Sequence, residues 1–197
     1  MHLKRAIDLA ASAAVLALFA PLFALIALAV WLDSGLPVFY TQLRVGRNFR
    51  RFRIWKFRTM HANGSVPPIT VAEDRRVTSL GKFLRATKLD ELPQFWNVLR
   101  ADMSLVGPRP ELPEYVELFR HRYQRILTVR PGITDLASIR FRNEEALLAG
   151  ASDPLEEYVS RTLPAKLDLA EEYLRKRSLR LDLSILLQTL VVTLRVA

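Results

Sequence analysis

The 197-residue sequence contains no cysteine, which excludes disulfides, a thiol nucleophile and any cysteine-ligated metal. Histidine is nearly absent: His2, His61 and His121 are too dispersed for a metal cluster, so a metal here would be a hard cation held by oxygen, such as Mg²⁺. Acidic residues are in deficit, 20 against 29 Lys and Arg, giving a formal charge of +9. That balance suits phosphates, nucleic acid or an acidic membrane face without choosing among them. No G-x-x-x-x-G-K-[ST] loop, G-x-G-x-x-G strand turn, G-x-S-x-G elbow or H-E-x-x-H pair is present. The common nucleotide-hydrolysing, dinucleotide-binding and serine or zinc hydrolase designs are thereby disfavoured. No internal repeat is visible, and the length suits one sizeable core plus an anchor rather than a second catalytic domain.

Charge is also missing from Leu9 to Leu32, a run of 24 residues rich in Ala, Leu, Val and Phe. At about 1.5 Å per residue such a run can cross a hydrocarbon core of about 30 Å. It is too long for the apolar part of a cleaved signal peptide and lacks a following small-residue cleavage site. Pro21 interrupts it and should bend the helix. Lys4 and Arg5 precede the run, and Arg44, Arg47, Arg50, Arg51 and Arg53 follow, so both flanks favour the cytoplasm. A helix broken at Pro21 that enters and leaves by one leaflet satisfies this; a kinked single span is the alternative. Either reading attaches the chain to a membrane.

Beyond the run, "LPVFYTQLRVG" and "FRRFRIWKFRTM" read as two strands around Gly46, Arg47 and Asn48, with an irregular alternation that leaves the register open. Lys56 and Arg58, two apart, would share a face if the strand holds there; a solvated basic edge is the bland reading. "HANGSVPPITVAEDRR" reads as a loop. In "KLDELPQFWNVL", Leu92, Phe95, Trp96 and Leu99 recur at helical spacing and predict a buried stripe. Pro93 is tolerated only in a first turn, which puts Asp90 near an N-cap and Glu91 just inside. Capping alone would explain both acids. The same placement also suits an ionised carboxylate nucleophile at Asp90, with Glu91 holding a metal. Lys56, Arg58, Arg85, Lys88 and Arg109 supply positive charge fit for a diphosphate, and Arg109 before Pro110 is presented by an extended backbone.

"ELPEYVELFRHRYQRIL" has helical periodicity through Tyr115, Leu118, Phe119, Tyr123 and Ile126. In "TVRPGITDLASIRFRNEEALL", a Pro131-Gly132 turn and a basic loop with Arg140, Arg142 and Asn143 read as a phosphate or nucleotide surface, or as a solvated loop. From Pro164 the chain reads as helical to its end. Leu183, Leu186, Leu187, Leu190, Val191 and Leu194 form an apolar face opposite Ser184, Gln188 and Arg195, which would lie on a membrane surface or on the domain.

"KFRTM", "RVTSLGKFLRATKLDELPQFWNVLRADMSLVGPRP" and "VRPGIT" together resemble the bacterial sugar transferase family, the monotopic phosphoglycosyl transferases. The resemblance covers nearly the whole chain. It implies an α+β, mostly helical fold, with a re-entrant helix-break-helix over residues 1–35, a small β-hairpin, and a cytosolic domain over 36–197 that ends in an amphipathic interfacial helix. It also implies an enzyme that moves sugar-1-phosphate from a UDP-sugar to polyprenyl (undecaprenyl) phosphate with Mg²⁺. The place is the cytoplasmic face of the bacterial inner membrane, and the reaction begins glycoconjugate or exopolysaccharide assembly. By the family's ping-pong scheme Asp90 would carry a covalent phosphosugar, and Glu91 together with Asp90 would hold Mg²⁺. Lys56, Arg85 and Arg109 align with the family's phosphate-contacting positions. Arg130, Thr134, Arg140, Arg142 and Asn143 form the expected nucleotide or sugar loop. No nucleic-acid partner is expected, and a homodimer is compatible with the sequence.

Two departures bear on the carry-over. Many members have Ser before the helix-breaking Pro, where this chain has Ala20, so a capping hydroxyl is missing. Members often read "PGITGLAQ" where this chain has "PGITDLAS", with Asp135 and Ser138, which touches substrate choice. The non-enzymatic rival is a membrane-anchored basic module binding nucleic acid or acidic lipid through Arg44 to Arg58, with steeply salt-dependent affinity and no turnover. The chain lacks the extra membrane-spanning region of larger relatives, so the catalytic core alone is expected.

Overall fold

The computed structural model describes residues 2–61, 74 and 76–194; most of the expected loop from His61 to Arg76, and Arg195, lie outside them. Helix α1 (His2–Leu18) and helix α2 (Ala20–Ser34) meet at a bend of 62°. Pro21 falls in the first turn of α2, where its missing N–H costs no intrahelical bond. No side-chain cap supports the break, so the bend forms here without the hydroxyl that Ala20 lacks. No single described helix is long and apolar enough to cross a membrane, and α1 and α2 meet that criterion only as a bent pair.

The charged start of α1 ties it to the rest of the chain. Lys4 Nζ donates to Asp182 at 2.7 Å and to the Val106 carbonyl at 3.1 Å, and Arg5 donates to the Val98 carbonyl at 2.7 Å. Buried Asp8 accepts from the Ser104 hydroxyl at 2.8 Å and the Leu105 N–H at 3.3 Å. Helix α2 lays Ile26 and Val30 on Phe57 and Leu84.

Strands β1 (Phe39–Val45) and β2 (Arg51–Phe57) form the expected antiparallel hairpin, with Tyr40 opposite Lys56 and Gln42 opposite Ile54. Its turn has Asn48 and Phe49 at positive φ. β2 stops at Phe57, so Arg58 does not share the face of Lys56. The next helices are α3 (Ser79–Ala86) and α4 (Gln94–Leu99). The face that α4 buries differs from the apolar stripe: Gln94, Asn97 and Val98 are inside, while Trp96 is 49% exposed. The reason is a backbone debt on β2, since Asn97 Nδ2 donates to the Arg53 carbonyl at 2.8 Å and its Oδ1 accepts from the Trp55 N–H at 3.1 Å.

A second, parallel pair was not legible as strands: β3 (Ser104–Val106) beside β4 (Gly132–Thr134). Gly132 sits in this strand rather than in a turn, and the backbones touch. A Cβ on Gly132 would lie 2.2 Å from the Gly107 nitrogen. The predicted helix after Glu111 breaks at Phe119 into α5 (Pro113–Leu118) and α6 (Arg120–Ile126), and Leu118 is exposed rather than core. α7 (Leu136–Arg140), α8 (Glu144–Ala149), α9 (Pro154–Glu157), a π-helical stretch (Tyr158–Thr162) and α10 (Leu163–Lys176) then pack Leu148, Leu163 and Leu167 around Tyr115 and Tyr123. The last helix, α11 (Leu179–Leu194), buries Ile185 against Val98 and Met103 and leaves Leu183, Leu187, Leu190 and Val191 exposed.

The Gly107–Gly132 contact is testable. Gly132→Ala should destabilise the detergent-purified protein by ~2 kcal/mol or more in chemical denaturation, through overpacking against backbone. Gly150→Ala, whose Cβ meets nothing closer than 3.7 Å, should change stability by less than ~0.5 kcal/mol.

Candidate active site

Lys88, at φ 59° in the left-handed region, turns the chain out of α3 and into a 3₁₀ turn, Leu89–Glu91. Pro93 is the N-cap of α4, so that helix starts four residues after Asp90. The expected capping role is therefore not realised: no side-chain cap bond is present at either helical end. Both carboxylates are instead turned inward, Asp90 6% and Glu91 9% exposed.

Glu91 is the hub. Its Oε1 accepts from Lys56 Nζ at 2.8 Å and Arg109 Nη2 at 2.6 Å, and its Oε2 meets, among the described residues, only Arg109 Nη1, at 3.5 Å. Lys56 comes from β2, while Arg109 comes from the loop after β3, whose backbone N–H donates to Asp135 Oδ2 at 3.0 Å. Asp135 also caps α7 by accepting from the Ser138 N–H at 2.7 Å. Asp135 thus braces the arginine on Glu91, while Ser138 contributes only its backbone N–H. Asp90 Oδ1, by contrast, is buried and has no hydrogen-bond partner among the described residues.

The two neighbours are electrostatic opposites. Burial would push Glu91 up, but the charges of Arg109 and Lys56 outweigh it and hold the carboxyl well below its ordinary range. For Asp90 burial wins: it raises the carboxyl, Lys56 opposes, Glu91 adds to the rise, and Lys88 and Arg85 pull down without cancelling it. This reverses the expectation that helix-end amides keep Asp90 readily ionised. Arg109 is held above its ordinary value by the Glu91 charge, so it stays a cation.

Lys56, Arg85, Lys88 and Arg109 therefore all act on the carboxylate pair, and the rest of the expected set does not converge there. The Arg58 guanidinium is buried against the end of α2, donating to the Ser34 carbonyl at 2.5 Å and to the Gly35 carbonyl. Thr134 hydrogen-bonds Thr189 of α11 at 2.7 Å, and Arg130 Nε donates to the Ala101 carbonyl at 2.9 Å. Arg85 pairs with Glu145, which draws the α7–α8 turn with Arg142 and Asn143 alongside α3; Arg140 is exposed at the end of α7. Sequence reasoning missed Asp135 as a brace, Glu145 as a tether, and Gln94, a fully buried amide whose two polar atoms have no partner among the described residues. The available signal for Gln94 was its position three residues after Glu91.

No group of three or more metal-ligating acids or histidines occurs among the described residues. A cation shared with substrate phosphates needs only one or two carboxylates. The donor set fits that demand, because Asp90 Oδ1 is unpartnered and Glu91 Oε2 has only the 3.5 Å contact.

Opposite pKa directions give opposite stability effects. Folding raises Asp90 above its ordinary 3.8, so its ionisation costs stability at neutral pH, and that cost vanishes below the ordinary value. Asp90→Asn should raise the melting temperature near pH 7 by about 2–4 °C, the response to ~1 kcal/mol in a chain of this size, and lose the gain in acid. Glu91, lowered from 4.5, contributes stability above that value and loses it as pH falls through its depressed pKa. Glu91→Gln should cost ~3 kcal/mol in chemical denaturation near pH 7, because it leaves two cations without their anion. The same sign for both variants would contradict this assignment.

The sequence profile of the bacterial sugar transferase family matches residues 1–196. A UDP-glucose:undecaprenyl-phosphate glucose-1-phosphate transferase of Caulobacter vibrioides is 41% identical over 191 residues, covering 94% of this chain and 67% of the relative. An enzyme of the same name from Escherichia coli is 40% identical over 95% of this chain and 39% of its own length. A UDP-N-acetylgalactosamine-undecaprenyl-phosphate N-acetylgalactosaminephosphotransferase of Aeromonas hydrophila is 43% identical over 70% of this chain and 34% of its own. The chain thus spans two thirds of the first relative and well under half of the others. Because the match runs the length of the sequence and takes in the carboxylate pair with its arginine loop, the protein belongs to the bacterial sugar transferase family.

Proposed function

We propose that the protein transfers sugar-1-phosphate from a UDP-sugar to undecaprenyl phosphate through a covalent intermediate on Asp90. The observation that carries this is the asymmetry of the pair: a buried Asp90 oxygen without a partner, beside a Glu91 whose charge is already matched by Lys56 and Arg109. A carboxylate with a raised pKa is the more basic, and hence the better, nucleophile once ionised. Asp90 attacks the β-phosphorus; the new Asp–O–P bond forms as the bond to the bridging oxygen breaks, and the electron pair leaves on UMP. An oxygen of undecaprenyl phosphate then attacks the same phosphorus, giving the lipid diphosphosugar and restoring the carboxylate.

Lys56, Arg85, Lys88 and Arg109 bind and neutralise the diphosphate oxygens, and Arg109, fixed through Asp135, sets their orientation. Asp90 Oδ1 and Glu91 Oε2 would hold Mg²⁺, which supplies further charge neutralisation on the phosphates. The α7–α8 turn, with Arg140, Arg142 and Asn143, is the surface offered to the nucleotide. Residues 1–35 form a re-entrant pair that enters and leaves the inner membrane from the cytoplasmic face, and 36–197 form the catalytic domain beside it. Supporting this are the 62° bend, cations on both flanks, and the exposed Leu18, Phe19, Leu25, Leu28, Trp31 and Leu32. The bare apolar stripe of α11 suits the same surface.

Detergent-solubilised protein with Mg²⁺ and undecaprenyl phosphate should release UMP from one member of a UDP-sugar panel. Asp90→Asn should lower that release more than about a thousandfold while remaining folded. Retained activity in this variant would remove Asp90 as the nucleophile. In Glu91→Gln, corrected for folded fraction, the Mg²⁺ titration should shift about tenfold upward; an unchanged titration would contradict the metal role.

A further inference from the structure

A cavity of about 240 Å³ lies where the first turns of α1 meet β3 and the α10–α11 junction, and none of its lining residues belongs to the Asp90–Glu91 cluster. That volume is far above the ~10–15 Å³ that one water needs. Its wall carries five cations, Lys4, Arg5, Arg47, Arg130 and Arg177, against two carboxylates. Asp182 is ion-paired with Lys4 and accepts from the Tyr173 hydroxyl at 2.7 Å, and the Asp8 oxygens accept from the neutral donors of Ser104 and Leu105. Lys4 and Arg5 are committed to holding α1.

That leaves an excess of positive charge facing the space. Arg130 uses only its Nε, and the Arg47 and Arg177 side chains have no acceptor among the described residues. Burial, then the charges of Arg47 and Arg5, push Arg130 below its ordinary value, and Asp8 opposes without cancelling them. The first turn of α11, a helix of sixteen residues, also lines the cavity; the Leu181 and Asp182 N–H groups donate to Ser178, and those of Leu179 and Arg180 have no acceptor among the described residues. The uncharged run of α1 starts at Leu9, one residue after Asp8 on the cavity wall, and the exposed apolar residues of α11 start at Leu179, itself on that wall, and continue at Leu183. The charged space thus sits where two apolar surfaces begin.

We propose that this cavity binds a phosphate group as a site separate from the catalytic one, taking it either from an anionic lipid headgroup or from a free phosphate compound. The lipid source rests on the membrane attachment proposed above; the free-phosphate source does not. Occupancy would bear on β3, since Ser104 and Val106 line the cavity and Arg109 follows three residues after Val106.

The test uses full-length protein in phosphatidylcholine micelles, titrated by calorimetry with phosphatidylglycerol in one arm and inorganic phosphate in the other. The variant is Arg47→Gln with Arg177→Gln, two side chains that hold no acceptor among the described residues, and Arg161→Gln is the surface control. At least one probe should bind the native chain and the control alike, and bind the double variant about tenfold or more weakly, the loss of one or more charge-assisted hydrogen bonds. Phosphatidylglycerol alone doing so assigns a lipid, and phosphate doing so assigns a soluble source. Melting temperature and UMP release in phosphatidylcholine should be unchanged in the double variant, so a failure of the catalytic reading is scored separately. Binding that survives the double substitution, or no binding of either probe to the native chain, overturns the proposal.

Discussion

The pairing of Glu91 with Lys56 and Arg109 is the interaction on which the rest of the site depends. It joins three segments far apart in sequence: the end of the hairpin, the 3₁₀ turn after α3, and the loop after β3. A buried carboxylate survives only if its charge is matched and its lone pairs are occupied, and two cations do both. Every supporting device serves their placement. Asn97 fixes α4 to β2 and so sets the height of Lys56, the Gly107–Gly132 contact brings β3 and β4 together, and Asp135 holds the Arg109 backbone.

What Glu91 receives, Asp90 is denied. Burial without a partner is a cost that folding tolerates at one oxygen because the neighbouring ion pairs fix the turn. On the proposed chemistry that cost is the function: the Asp90 carboxylate, left without a side-chain partner among the described residues, is the group that meets phosphorus, and the surrounding cations hold the diphosphate without neutralising that carboxylate. The bent pair α1 and α2 serves the same end differently. Its charged start is locked to α11 and β3, α1 packs on α4, and α2 lays one face on the hairpin and α3.

Much of this was legible in the sequence. Lack of charge from Leu9 to Leu32 and Pro21 within it foretold a bent helical pair, and β-branched and aromatic residues around Gly46 foretold the hairpin. The stripe Leu92, Phe95, Trp96, Leu99 misled, because an amide that completes a strand's backbone hydrogen bonds is buried as firmly as a leucine. Strands of three residues carry no period, so β3 and β4 were not visible as strands, and Gly132 read as part of a turn. Arg58 and Lys56 part company because the strand ends between them. Thr134 and Arg130 are taken up by Thr189 and Ala101, contacts that no local pattern announces. The capping reading failed on a single backbone angle, the left-handed Lys88, which delays α4 until after Pro93.

The measurement that bears most directly on Asp90 is intact-mass spectrometry of the protein incubated with its UDP-sugar donor in the absence of undecaprenyl phosphate, followed by peptide mapping. The expected result is one sugar-phosphate adduct per chain, mapped to Asp90 and discharged when the lipid acceptor is added. An adduct on another residue, or none while UMP is still released on adding the acceptor, would contradict the covalent role of this carboxylate.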